Sequence, residues 1–383
     1  MRKLITIGMN TIQGFASPAF NFLIVVFGIK TFGKTDWALL INVMIWVFLI
    51  TFLLGWGNRD YLLRKYSQEP GQMYHAFFSN FLSRSLLLPL TLSLYLFFPT
   101  SIAFWAILLV ILTFSYASLS TLVVYHQRFR AQLIAEITAF GIIFGSIFYV
   151  DFFVLDNFLK IYTIATLAKL IILSVQLNFW KEPFTAKISI QEFKSGLPFF
   201  ILGLSGWLIS KADIYVVDFY LEKAQLAEYQ LLITSFLMLQ ALAAYITIPF
   251  TKHMYRVSPL VVQKIKYRLY VIAIPLTVLG AFFIWIMMEY FMQLGFSYIY
   301  YILGALIALP CYFYTLNIME LLKTHKEQAI IYISLFGFLV NISLILLVIK
   351  SHGILGVLGS VCISQWVVLI AYKWHWKCTQ SLS

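Results

Sequence analysis

Residues 37–55 read Trp37-Ala38-Leu39-Leu40-Ile41-Asn42-Val43-Met44-Ile45-Trp46-Val47-Phe48-Leu49-Ile50-Thr51-Phe52-Leu53-Leu54-Gly55, and no charged side chain stands between Asp36 and Arg59. A run of about 20 apolar residues matches the hydrocarbon thickness of a bilayer when wound as a helix. It is too long for the alternating strands of a membrane barrel, which cross in about 10 residues. Moving outward, similar runs recur along the whole chain. The sequence predicts spans at 5–32, 36–57, 76–98, 102–125, 131–151, 158–179, 197–217, 227–250, 269–291, 298–322, 328–349 and 354–373. The composition agrees: 62% of the 383 residues are hydrophobic and 11% are charged, where a soluble domain carries about a quarter charged residues. The expected fold class is therefore an all-α integral membrane protein of about 12 transmembrane helices. Arg2 and Lys3 ahead of the first run suggest a signal peptide, but the run continues past Pro18 to Phe32 without a small-residue cleavage site, so it reads as an uncleaved first span.

The connections between runs alternate between basic and nearly uncharged. Arg59, Arg64 and Lys65, then Arg128 and Arg130, then Lys181, Lys187 and Lys194, then Lys252, Arg256, Lys264, Lys266 and Arg268, then Lys323 and Lys326 fall on one set of turns, with Arg2, Lys3, Lys373 and Lys377 at the termini. The intervening turns at 33–36, 99–101, 152–157, 293–297 and 350–353 are short. Basic residues stay on the cytoplasmic side of short loops, so the basic set and both termini are assigned to the cytoplasm of a multi-pass inner-membrane protein. The net charge of +12 is thus a topology signal and a contact with anionic membrane lipids, and nucleic acid is not an expected partner. No loop is long enough for a soluble catalytic domain. Cys311, Cys362 and Cys378 have no metal or redox spacing, and the six histidines sit in loops or at ends, so neither a metal site nor a cofactor is expected.

The second half repeats the first. Landmarks shifted by roughly 193–197 positions coincide: the turn at Thr35–Asp36 with Ala227–Glu228, the basic stretch 58–75 with 251–268, the basic turn 126–130 with 323–327. This implies two pseudo-repeated six-helix lobes, residues 1–180 and 191–383, joined by a cytoplasmic linker at 181–190. Parallel repeats of this kind are a transporter architecture with the substrate bound between them.

Charge at bilayer depth costs roughly 2.5–3.5 kcal/mol per residue on insertion scales, so it faces a cavity or a partner. Arg84, Lys169 and Lys211 lie at such depth. Helical spacing puts Asn80, Arg84, Thr91 and Tyr95 on one face of the third span, and Tyr162, Thr166, Lys169 and Gln176 on one face of the sixth. Asn10, Ser17 and Asn21 line the first span, and Trp207, Lys211, Tyr215 and Asp218 share a face of the seventh. The candidate binding residues are Arg84, Lys169, Lys211, Asn80, Thr166, Trp207, Tyr215 and Asn21. Together they describe a hydrated, positive interior suited to an anionic ligand, a phosphate above all. The bland alternative is that Arg84 or Lys169 pairs with a carboxylate such as Glu136, Asp213 or Glu289 and only holds helices together. Pro18, Pro198 and Pro275 stand inside spans and offer bends.

Three stretches carry a family resemblance: Gly55-Trp56-Gly57-Asn58-Arg59-Asp60-Tyr61-Leu62-Leu63-Arg64 after the second span; Gly196-Leu197-Pro198 through Lys211-Ala212-Asp213 to Tyr229; and Gly353-Ile354-Leu355-Gly356-Val357-Leu358-Gly359-Ser360 at the last span. They resemble the multidrug/oligosaccharidyl-lipid/polysaccharide exporter superfamily, and within it the bacterial polysaccharide (O-antigen) flippases. Two departures stand out. Ile214 follows Asp213 where the family has Arg or Lys, with Lys211 two places before the Asp instead, and the chain has twelve spans rather than the fourteen of some relatives. The resemblance implies a flippase, not an enzyme. It would move a polyprenyl-diphosphate-linked oligosaccharide, an O-antigen or capsule repeat unit for lipopolysaccharide or related polysaccharide biosynthesis, by alternating access. It leaves open a coupling ion, H+ or Na+, and a polysaccharide polymerase as a partner. The rivals are a drug or cation antiporter of the same superfamily, which would want free carboxylates in the cavity, and a membrane-embedded glycosyl polymerase or acyltransferase, for which no acid/base pair stands out.

Overall fold

The computed structural model describes the backbone of residues 2–178, 186–247, 259–324 and 326–380, and the side chains of 14–178, 186–243, 263–324 and 326–375. The basic residues Lys181, Lys252 and Arg256, the linker part 181–185 and His325 lie outside the described residues, as do the side chains of Arg2, Lys3, Asn10 and Lys377.

All regular structure among the described residues is helical. In the first half, α1 (Arg2–Phe32), α2 (Lys34–Gly55), α3 (Asn58–Gln68), α4 (Met73–Ser85), α5 (Thr100–His126), α6 (Phe129–Tyr149) and α7 (Leu155–Leu177) follow one another. The second half holds α8 (Ile190–Tyr220), α9 (Lys223–Thr247), α10 (Pro259–Trp285), α11 (Tyr298–Lys323) and α12 (Glu327–Gln380). Ten of the described helices are long and apolar enough to cross a membrane. Gly353, at φ 53 and ψ −137, breaks α12 into two spanning arms, because that conformation is closed to most side chains. α4 continues into a 3-10 segment over Leu88–Leu96 and completes a further crossing. The protein is thus an all-α, twelve-span membrane protein with six crossings in each half.

The third span departs from the expected continuous helix at 76–98. Pro89 has no N–H to give to an α-helical ladder, and the backbone tightens to 3-10 winding from Leu88. The face expected for that span drifts accordingly. Asn80, Arg84 and Thr91 are buried, but Tyr95 is exposed, because 3-10 winding advances about 120° per residue rather than 100°. The basic stretch 58–75, expected as a loop, contains α3 and a short 3-10 turn at Pro70–Gln72.

By packing, the chain divides into two compact units, Met1–Gly203 and Leu204–Ser383, with the boundary inside α8 rather than at the expected linker 181–190. The start of α8 is fastened to the first unit. The Lys187 and Ser189 amides donate to Ser79 Oγ and Ser83 Oγ of α4, at 3.2 and 3.0 Å. Trp56 stacks on Phe200 with ring centroids 4.3 Å apart, and its indole N–H donates to the Phe193 carbonyl at 3.1 Å. Gly57 permits this approach: it takes a left-handed φ of 65°, and a Cβ there would lie 2.5 Å from the Phe200 amide nitrogen. The Gly-Trp-Gly turn after the second span is therefore a docking joint for α8.

The first unit packs α5 against α7 and α2, α6 against α7, and α1 against α6. A core of Leu62, Tyr66, Phe77, Phe78, Leu119 and Leu173 fills the end bearing the basic turns. In the second unit α11 is central, flanked by α9, α10 and α12. Its contacts are fixed by polar bonds into backbone: Tyr312 O–H donates to the Leu239 carbonyl at 2.7 Å and Gln240 Nε2 to the Ile307 carbonyl at 2.9 Å. Each satisfies a polar group that hydrocarbon could not.

Candidate functional site

Arg84 is 2% exposed. Its Nε donates to Asn80 Oδ1 at 2.8 Å, one turn back on α4, and its two terminal nitrogens donate to Ser118 Oγ at 2.9 Å and the Leu54 carbonyl at 3.3 Å. Phe114 lies under the guanidinium, 4.9 Å from carbon to ring centroid. Asn80 passes the contact on: its Nδ2 donates to Glu192 Oε2 at 3.2 Å, and Glu192 Oε1 takes Lys65 Nζ at 2.7 Å. Arg84, Asn80, Glu192 and Lys65 form one relay, drawing on α4, α3 and the first turn of α8. Burial of Lys65 works against its charge, but the hydrogen bond and charge of Glu192 outweigh that, and the ammonium titrates above the usual lysine value.

Lys169 meets a carboxylate directly. Its Nζ stands 2.8 Å from Glu136 Oε2, Tyr116 O–H donates to the other oxygen at 2.7 Å, and the ammonium lies 4.5 Å above the Tyr116 ring. Of the two alternatives the sequence leaves open for Lys169, a cavity or a carboxylate partner, the structure shows the pairing with Glu136. A mid-span ammonium with a carboxylate in reach on a neighbouring helix gains more by pairing than by facing water at a distance. Thr166 is likewise spent locally, its hydroxyl donating to the Tyr162 carbonyl at 2.8 Å. Arg84 and Asn80 are joined as the helical spacing implied, but in a packed interior bonded to protein on all sides. Asn21 sits exposed on α1.

The face expected on the seventh span is realised along α8. The Trp207 and Tyr215 rings are 5.6 Å apart, and Lys211 stands between them in sequence, half-buried. Among the described residues its ammonium makes no hydrogen bond or ion pair. Asp213, two places further along α8, acts on that ammonium through its charge; it is 3% exposed and accepts a hydrogen bond from the wholly buried Tyr229 O–H of α9. Asp218 pairs with Lys223 at 2.6 Å. Glu289 accepts from Tyr301 O–H at 2.5 Å and the Phe296 amide at 2.9 Å. The acids at membrane depth are thus occupied: Glu136 by Lys169 and Tyr116, Asp213 by Tyr229. Among the described residues no cluster of His, Cys, Asp and Glu could hold a metal ion.

Sequence reasoning missed Glu192, Lys65, Tyr116 and Tyr229 as members of these networks. Glu192 lies in the first turn of α8, where the helix dipole alone already favours an acid and no further signal marks it. Tyr229 had been marked only as part of a motif; its bond to Asp213 gives that motif a physical meaning.

The order and packing of the helices have counterparts among solved structures. In particular, the chain resembles a solved structure of the lipid II flippase MurJ in an inward closed conformation, with a TM-score of 0.73 at 15% identity over 96% of this chain and 87% of that one. It also resembles an inward-facing multidrug resistance MATE family transporter of the MOP superfamily (TM-score 0.61, 13% identity, 97% and 95% covered) and the eukaryotic MATE transporter AtDTX14 (TM-score 0.57, 13% identity, 97% and 95% covered). At these identities the likeness is one of fold. No protein-family model and no curated protein sequence matches the chain.

Proposed function

We propose that this protein is a flippase that carries a polyprenyl-diphosphate-linked oligosaccharide, an O-antigen or capsule repeat unit, across the bacterial cytoplasmic membrane by alternating access, with both termini in the cytoplasm. The observation that carries the reading is Lys211. It is a mid-span cation without an ion pair among the described residues, on a face with Trp207 and Tyr215. A diphosphate crossing a low-dielectric layer needs such a charge, and aromatic rings suit the faces of sugars. Lys169, neutralised by Glu136, takes a scaffold role.

The rival, a drug or cation antiporter, draws on the MATE likeness. It is less well supported because a cationic cargo needs an acid to meet it, and Glu136 and Asp213 are both engaged within the protein. The test is transport in proteoliposomes loaded with a fluorescent polyprenyl diphosphate glycolipid. The flippase reading expects movement of that lipid between leaflets, weakened by Lys211→Ala in folded protein. Transport of a cationic dye against a proton or sodium gradient, with no movement of the glycolipid, would replace it with the antiporter.

A further inference from the structure

A crevice of about 370 Å³ lies within the first unit between α4, α5 and α7. Phe77, Phe78 and Phe81 of α4 face Leu119 of α5 and Leu170 of α7 across it. Two serines complete the wall, and Ser115 turns its hydroxyl back to the Ile111 carbonyl of its own helix at 2.8 Å. The lining is therefore apolar, and an apolar void of this kind holds hydrocarbon rather than water. At about 30 Å³ for a water and a similar volume for a methylene, it accepts on the order of a dozen chain carbons.

Its depth and its end identify the occupant. Ser115 and the α5 terminus at His126 are eleven residues apart, about 16 Å of helix. That is about half of a 30 Å hydrocarbon core, the depth of one leaflet. Ser174 marks the other limit, within a turn of the α7 terminus at Leu177. At that end Arg128 reaches over from the turn between α5 and α6 and donates to the Gln176 carbonyl. One of the guanidinium's five N–H groups is spent there, and four remain. Arg128 and Arg130 are both exposed and, among the described residues, make no ion pair.

We propose that this crevice binds one acyl chain of an anionic phospholipid from the leaflet on the basic side, with its phosphate held by Arg128 and Arg130. Basic groups at the mouth of a gap between membrane helices are the expected receptor for an anionic headgroup. The site lies wholly within the first unit and involves neither Lys211 nor a lipid-linked sugar, so it stands whether or not the flippase reading does. A lipid wedged there would set the packing of α4, the helix that carries Arg84.

Native mass spectrometry of the detergent-solubilised protein, titrated with phosphatidylglycerol or phosphatidylcholine, tests this. Phosphatidylglycerol is expected to bind at least tenfold tighter. Arg128→Gln with Arg130→Gln should bring it down to the phosphatidylcholine level, and Leu170→Phe, which fills the crevice, should weaken both lipids about tenfold. The double arginine variant alters only exposed residues, so its result stands even if Leu170→Phe fails to fold. Equal binding of the two lipids to the wild type, undiminished binding to folded Leu170→Phe, or displacement of phosphatidylglycerol by inorganic phosphate alone would each overturn the proposal.

Discussion

The third span of each half abandons α geometry near the end away from the basic turns, and the two halves do so in opposite senses. In the first half the chain tightens into a 3-10 segment over Leu88–Leu96; in the second it loosens into a π segment over Ile286–Phe291. The charges differ as well. The first half bonds its mid-span Arg84 and Lys169 to protein atoms, whereas the second half pairs Lys266 with Glu320 at 2.5 Å beside the basic end and leaves mid-span Lys211 without an ion pair among the described residues. The repeat supplies a matched set of helices. What distinguishes the halves is where each spends its charge.

Breaking the comparison should cost most at Glu136. Glu136→Ala strands the Lys169 ammonium among helices and is expected to destabilise the protein by about 3–5 kcal/mol, while Lys169→Met with Glu136→Leu and Tyr116→Phe, which also removes the hydroxyl that donates to Glu136, should be close to neutral. Lys211→Met, by contrast, should change the melting temperature in detergent little, since Asp213, whose charge acts on the ammonium, keeps its hydrogen bond from Tyr229. Equal destabilisation by Glu136→Ala and Lys211→Met would erase the distinction between the halves.

Gly57→Ala comes next, at about 2–3 kcal/mol, because a left-handed φ of 65° and a Cβ 2.5 Å from the Phe200 amide nitrogen add together. One tightly packed glycine from each half extends the contrast. Gly304 of α11 lies under Phe236 of α9, with a would-be Cβ 1.9 Å from the ring, and Gly28 of α1 lies under Trp37 of α2 at 2.4 Å. Alanine at either should cost about 1–3 kcal/mol, more at Gly304, read as the shift in thermal unfolding. Gly353→Ala should cost least, about 1–2 kcal/mol, since only its φ of 53° is at stake and the nearest atom to a Cβ is 4.0 Å away.

The order of spans and the pairing of halves were legible because apolar run length and basic turns are set locally, by hydrocarbon thickness and by loop charge. Asn80 beside Arg84 was legible for the same reason, being one helical turn apart. Glu192 was not, because it reaches Asn80 from 112 residues away and nothing in the spacing of either segment encodes that meeting. For Lys169 the sequence offered a cavity or a carboxylate and could not choose; only the position of α6 against α7 decides for Glu136. The break in the third span had a visible signal in Pro89, which the length of the surrounding apolar run concealed.

On the function proposed above, Lys211 and not Lys169 is the cation that meets cargo. The direct measurement compares surface polysaccharide in cells whose own copy is replaced by Lys211→Met or by the neutral triple replacement Lys169→Met/Glu136→Leu/Tyr116→Phe, at matched membrane levels of folded protein. The account expects Lys211→Met to lower polymer about tenfold or more, equivalent to at least about 1.4 kcal/mol, and the triple replacement to leave it near wild type. Full polymer with Lys211→Met, or its loss only in the triple replacement, would contradict it.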